Sequence, residues 1–138
     1  MEALLAPVIG RQVGLVDTVV SSSDWTGSVL IKCVGVSGAL GVSLGAYGAH
    51  VFREKPGVPE ELKKVFETAQ RYHMLHTLAL IGVPLSRHPK LTGTLMCAGM
   101  LIFSGTCYYH ALTGDPTYRR ATPYGGLLLI AAWLSLTL

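Results

Sequence analysis

Charged residues in this chain fall in the gaps between long apolar stretches. From Cys33 to Phe52, from Leu91 to Leu112 and from Ala121 to Leu138 there is no Asp, Glu, Lys or Arg, and these runs are 20, 22 and 18 residues long. A helix needs roughly 20 mostly apolar residues to cross the hydrocarbon of a bilayer. A fourth stretch, Tyr72 to Ser86, is shorter. It continues a segment in which Leu62, Val65, Phe66, Ala69 and His73 recur at three- and four-residue steps, the mark of one apolar helix face. The pattern predicts an all-α integral membrane four-helix bundle. Its spans cover about residues 29–52, 70–86, 91–112 and 122–138, with a short amphipathic helix before the second. A soluble bundle would need polar outer faces, which these runs lack.

The boundaries carry their own signals. Lys32 is near enough to the start of the first span to snorkel to the headgroups. Pro59 suits a first helical position, and Glu60 and Glu61 suit the positive end of the helix dipole. Glu60 to Lys64 and Glu67 to Arg71 are i,i+4 pairs in the favourable order. Pro84 and "SRHPK" separate the second and third spans, Gly114 and Asp115-Pro116 stop the third, and Thr122-Pro123 reads as a cap and first turn for the fourth. Residues 1–28 stand apart. Arg11 and Asp17 interrupt their apolar positions and Ser21-Ser22-Ser23-Asp24 follows, which fits neither a secretory signal nor a mitochondrial presequence. An interfacial or disordered extension is the expectation there.

Composition sharpens this picture. Half of the chain is hydrophobic, 14% is charged and mean hydropathy is +0.45. A soluble domain carries about a quarter charged residues, so too little is available here to coat a water-facing surface. The net charge of +3 is too small and scattered to indicate nucleic acid. Cys33, Cys97 and Cys107 all fall in spans without a CxxC and read as small packing residues. Arg53, Lys55, Lys63, Lys64, Arg71, Arg119 and Arg120 lie beyond the end of the first span, against Arg11, Lys32, Arg87 and Lys90 on the N-terminal side. The positive-inside rule makes the far side cytoplasmic, or matrix-facing in a mitochondrion. Lys63, Lys64, Arg71, Arg119 and Arg120 are candidates to clasp an anionic lipid headgroup.

The blocks "GALGVSLGAYGAH", "YHMLHTLAL", "FSGTCYYHALTGDP" and "PYGGLLLIAAWL" resemble, in order and spacing, the transmembrane protein 256 family, also known as domain-of-unknown-function family 423. The resemblance covers about residues 30–138. It implies a small multi-pass membrane protein of a kind found in bacteria and animals, and it brings no reaction, ligand or catalytic residue with it. The mitochondrial inner membrane and other internal membranes are both compatible with it.

Two features remain. Ser37, Gly41, Gly45 and Ala49 recur every four residues, with Gly38 and Gly48 beside them. In lipid a glycine-rich span stays helical, because its backbone has no other partner. The stripe therefore reads as a small-xxx-small packing surface, for a helix of the same chain or of a second copy; a flexible hinge is the alternative. Gly125 and Gly126, with Ala131 and Ala132, offer a complementary small surface in the fourth span.

The second feature is the histidines. Counting crossings puts His50, His73, His76 and His110 at one end of the bundle, with Tyr47 and Tyr109 among the tyrosines there. His73 and His76 are i,i+3, on one helix face. Three readings stand open: an interfacial and cross-helix hydrogen-bonding role, a ligand or proton site, or a metal or haem site. No acid orients Ser104 or Thr106 as a nucleophile and no GxSxG occurs, so "FSGT" reads as packing. The expectation is a non-catalytic structural or accessory membrane component without a cofactor, working in the bilayer as a homo-oligomer or complex subunit. A His-lined small-ligand, proton or metal-binding transporter is the competing class.

Overall fold

The computed structural model describes residues 26–138, so residues 1–25 of the expected extension lie outside the described residues. Helix α1, Thr26–Tyr47, closes in a π-helical turn over Gly48–Phe52. Helix α2 covers Glu60–Gly82 and tightens into a 3-10 turn, Val83–Leu85. Helix α3 runs Pro89–Thr113, a 3-10 turn follows at Thr117–Arg120, and α4 covers Thr122–Ser135. Each helix packs on the next, α1 on α2, α2 on α3 and α3 on α4. One end of the bundle carries the loops at 53–59 and 114–121, and the other carries the short turn at 86–88 and the last residue.

The polar N-terminal half of α2 and its apolar half form one unbroken helix, so the amphipathic segment and the second apolar stretch share an axis. Pro59 occupies the cap position, one residue ahead of the first helical turn. The ion pair here is Lys63 to Glu60 at 2.8 Å, in place of the expected Glu60–Lys64 and Glu67–Arg71 pairs. Gly114 ends α3 in the left-handed region, at φ +74°, and its N–H reaches the carbonyl of His110 at 2.9 Å. Thr122 does not cap α4. It is the first helical residue, and its hydroxyl is turned sideways to Thr106 at 2.7 Å.

The interior is unusual for a water-soluble fold. The apolar core is small: Leu80, Val83, Met96, Leu129 and Ala132 toward one end, and Phe52, Phe66 and Ala111 toward the other. His76, Thr77, Thr92, Ser104 and Ser135 are buried among them. Ile31, Val36, Val42, Leu78, Leu101, Leu127 and Leu134 are each at least 60% exposed, on all four helices. Among the described residues, two helical segments, Ser28–Phe52 and Pro89–Thr113, are long and apolar enough to cross a membrane, at 25 residues each.

Glycines set the distances between the helices. A Cβ at Gly45 would stand 3.0 Å from the Gln70 amide nitrogen, and one at Gly48 would stand 2.5 Å from the Phe66 ring. At Gly41 it would strike the Met74 sulfur, while Gly38 has room, its nearest neighbour being the Thr77 methyl at 3.8 Å. The small stripe of α1 therefore receives the long side chains of α2. It does not meet the small residues of α4. Gly125 instead brings α4 onto the α3 backbone, where a Cβ would lie 2.5 Å from the Phe103 nitrogen, and Gly126 sits more loosely, 3.8 Å from the same ring. Gly99 makes the reciprocal approach, 2.9 Å from the Leu129 nitrogen. Ala49 is exposed at the edge of the α1–α2 contact.

Candidate functional site

A chain of polar side chains crosses the middle of the bundle from α3 to α2 and α1 and back to α3. Thr77 Oγ1 lies 3.6 Å from Met100 Sδ, Ser37 Oγ lies 2.6 Å from Thr77 Oγ1 and 3.0 Å from His73 Nε2, and Tyr108 OH lies 3.5 Å from His73 Nδ1. A thioether has no proton to give, so Thr77 donates to Met100. Each hydroxyl owns one proton. Ser37 therefore donates to Thr77, and His73 donates from Nε2 to Ser37, which places a proton on that nitrogen. The Tyr108 hydroxyl and Nδ1 of His73 face each other at 3.5 Å.

His76 carries its proton on the other ring nitrogen. Its Nδ1 donates to the carbonyl of Tyr72 at 2.7 Å, and its Nε2 accepts from the indole N–H of Trp133 at 3.2 Å, which ties α2 to α4. Two hydroxyl pairs clip α3 to α4 near their ends. Ser135 donates to the carbonyl of Ala132, so Thr92 donates to Ser135 at 2.7 Å. Thr106 donates to the carbonyl of Ile102, so Thr122 donates to Thr106.

The structure does not bring the four histidines into one cluster. His73 faces α1 and α3, and His76 faces α4. Both lie deeper than His50 and His110, which belong to the depth of Phe66. His50 is exposed, and His110 lines a separate hollow of about 310 Å³ with Arg119 and Thr122, its Nδ1 buried without a partner. Among the described residues no three His, Cys, Asp or Glu side chains stand together as a metal-ion site. The i,i+3 spacing of His73 and His76 turns the second side chain about 60° around the helix. On a helix with neighbours on several sides, that is enough to give each a different partner. Tyr47 joins a ring cluster with Phe52 and Phe66, at centroid distances of 6.3 and 6.2 Å. Tyr109 donates to Asp115 and packs edge-on against Tyr118. Asp115 also accepts from the hydroxyl and the backbone N–H of Thr117. Those two bonds, more than the one from Tyr109, hold its carboxyl below the usual carboxylate range.

The basic residues divide into two groups. Lys63 and Arg71 line a hollow between α1 and α2 with Arg53 and Glu67, whereas Arg119 and Arg120 border the turn before α4. Lys64 is exposed. The five do not form a single clasp. The sequence pattern does not single out Ser37 and Thr77 as the hydroxyls that link α1 to α2, or Gly99 as a packing residue. In the four-residue stripe Ser37 counts as a small residue, and its hydroxyl is the signal that it does more.

Hydroxyls and imidazoles turned inward, aliphatic side chains turned outward, and two helices long enough to cross a bilayer define an all-helical integral membrane protein. The chain belongs to the DUF423 family, described as "Protein of unknown function (DUF423)", whose model matches residues 44–126. It is 35% identical over 113 residues to the UPF0382 membrane protein YwdK of Bacillus subtilis, covering 77% of this chain and 90% of that one. It is 37% identical over 111 residues to the UPF0382 membrane protein C1782.12c of Schizosaccharomyces pombe, covering 73% and 92%. The UPF0382 inner membrane protein YgdD of Escherichia coli K12 is 29% identical over 114 residues, covering 78% and 86%. No solved structure matches the chain.

Proposed function

We propose that this is a four-span membrane protein with a non-catalytic role, a structural or accessory component of a membrane or membrane complex. One observation carries the reading: His76, Ser37, Thr77, Thr92 and Ser135 of the bundle interior are spent on hydrogen bonds within the bundle. His76 has both ring nitrogens held by groups of the same bundle, and His73 is held at Nε2 by Ser37 at 3.0 Å. A metal-binding imidazole needs a free nitrogen lone pair, and the lone pair of His76 is engaged by the Trp133 N–H. Interhelical hydrogen bonds of this kind fix helices in lipid, where burial of apolar surface cannot.

Two experiments test the proposal. Single cysteines are placed at Lys55, Arg87 and Thr117 in a chain whose native cysteines are replaced by alanine, and an impermeant thiol reagent is applied from each side. Lys55 and Thr117 are expected to label from one face and Arg87 from the other; labelling of Lys55 and Thr117 from opposite faces overturns the four-span arrangement. Purification from native membranes in mild detergent is expected to retain a stoichiometric protein partner, and a lone monomer at every detergent strength overturns the accessory role.

A further inference from the structure

The bundle is open on one side. Helices α1 and α3 both lean on α2, and between them runs a lateral groove of about 550 Å³. Val36, Leu40 and Leu101 wall it, and its deeper lining carries His73, Ser104 and Tyr108. It continues toward the short-turn end into a second hollow that shares Cys33, Cys97 and Leu101 with it. Volumes of this size are those of small-molecule sites.

Ser104 says what the groove is for. It is 3% exposed, and its hydroxyl has no hydrogen-bond partner. A helical serine or threonine that has no partner on another helix can return its proton to the carbonyl one turn back, as Ser43 does to Ala39 and Thr68 does to Lys64. Ser104 does not, although a buried unpaired hydroxyl costs roughly 1–3 kcal/mol. Tyr108 supplies a second donor. Its bond to His73 is long, at 3.5 Å, so the phenol can turn to another acceptor at little loss.

Depth then selects the chemistry. Ser104 lies three residues past Leu101, the midpoint of the 25-residue α3, which is about 5 Å from the centre of a symmetric span. A phospholipid headgroup cannot reach that depth, and a charged one would be expelled. The occupant has a neutral head that accepts hydrogen bonds and a long apolar tail to fill the groove. The rings of His73 and Tyr108, with centroids 6.0 Å apart, offer flat surfaces beside the donors. We propose that the α1–α3 groove binds a membrane-soluble molecule of the prenylated-quinone type, its carbonyl oxygens accepting hydrogen bonds from Ser104 and Tyr108. The inference uses the four-span reading for its depth, and the cysteine labelling tests that reading separately.

The test uses the full chain in lipid nanodiscs and a radiolabelled decyl-substituted benzoquinone, measured against partition into empty discs. Saturable binding near one molecule per chain is expected. Ser104→Val removes an unpartnered hydroxyl, so the fold should be at least as stable, and affinity should fall roughly fivefold, one hydrogen bond's worth. Gly105→Leu borders the groove at a position where an added Cβ meets nothing within 4 Å, so the chain should fold normally and saturable binding should be lost. Decylbenzene should fail to displace the probe. Equal binding by wild type and both variants overturns the proposal, as does displacement by decylbenzene as effective as by the quinone. Disulfide-linked dimers formed through Leu101→Cys and undiminished by saturating probe would show a second copy in the groove, which also overturns it.

Discussion

Two serines from neighbouring helices show how little the residue type alone decides. Ser37 was legible as a small residue in a four-residue stripe, and its hydroxyl turns out to link His73 to Thr77. Ser104 was legible as packing, and it is the one that keeps an unpaired hydroxyl. What the sequence could not show is the azimuth of each side chain. His73 and His76 share a face by spacing, yet the 60° between them points one at α1 and α3 and the other at α4. The serines should therefore respond in opposite ways. Ser37→Ala breaks a directed chain of three hydrogen bonds at its centre and is expected to destabilise the bundle by about 0.6–1.7 kcal/mol, the range for interhelical bonds in lipid. Ser104→Ala removes a group that bonds to nothing and is expected to be neutral or stabilising by about 1 kcal/mol. Unfolding in mixed micelles of increasing SDS content reads both. Equal losses for the two would show that the directed chain contributes nothing particular.

At the scale of the element, spacing revealed that α1 has a small face but not what fills it. A four-residue repeat of small residues permits close approach by any helix. The choice was made by size: Phe66, Gln70 and Met74 of α2 fill the stripe, and the α4 glycines are used against α3. Among the described residues, the α3–α4 contact is the one where a glycine meets the backbone of the other helix from both sides, at Gly99 and Gly125. Gly125 was legible as part of a small surface, though with α1 as its expected partner, and Gly99 stands in no repeat that would single it out. Gly125→Ala would set a methyl 2.5 Å from the Phe103 nitrogen, where no side chain can move aside. The helices must part, at a cost of about 1–3 kcal/mol. Gly48→Ala meets the Phe66 ring and should cost less, since a ring can shift. Gly35→Ala and Gly105→Ala meet nothing within 4 Å and should be neutral or gain up to about 1 kcal/mol of helix propensity. The ranking Gly125, Gly48, Gly105 in the same SDS titration checks the geometry, and any other order contradicts it.

For the whole molecule, the class of fold was readable from the charge-free runs, and its dimensions were not. The segments Ser28–Phe52 and Pro89–Thr113 hold 25 residues each, about 37 Å of helix. Helix α4 holds 14, about 21 Å, and the charge-free part of α2 is no longer, because Arg71 ends it on one side and Gly82 on the other. On the four-span reading proposed above, two long and two short apolar helices share one bilayer whose hydrocarbon is about 30 Å thick. The long pair can tilt. The short pair cannot lengthen, and in a thick bilayer the charged half of α2 and the turn at Thr117–Arg120 would be drawn toward hydrocarbon. The mismatch costs a fraction of a kcal/mol per Å. Because it falls on α2, which both α1 and α3 lean on, it should be felt by the whole bundle. Reconstituted in phosphatidylcholines of increasing chain length, the protein is expected to be most stable in the thinner bilayers and to lose thermal stability steadily as the chains lengthen. Lengthening α4 by inserting one turn of leucines between Ala132 and Trp133 should not flatten that dependence, since α2 remains short and the insertion also misplaces the Trp133 bond to His76. A stability that is independent of chain length would mean that α2 and α4 do not cross the hydrocarbon as proposed.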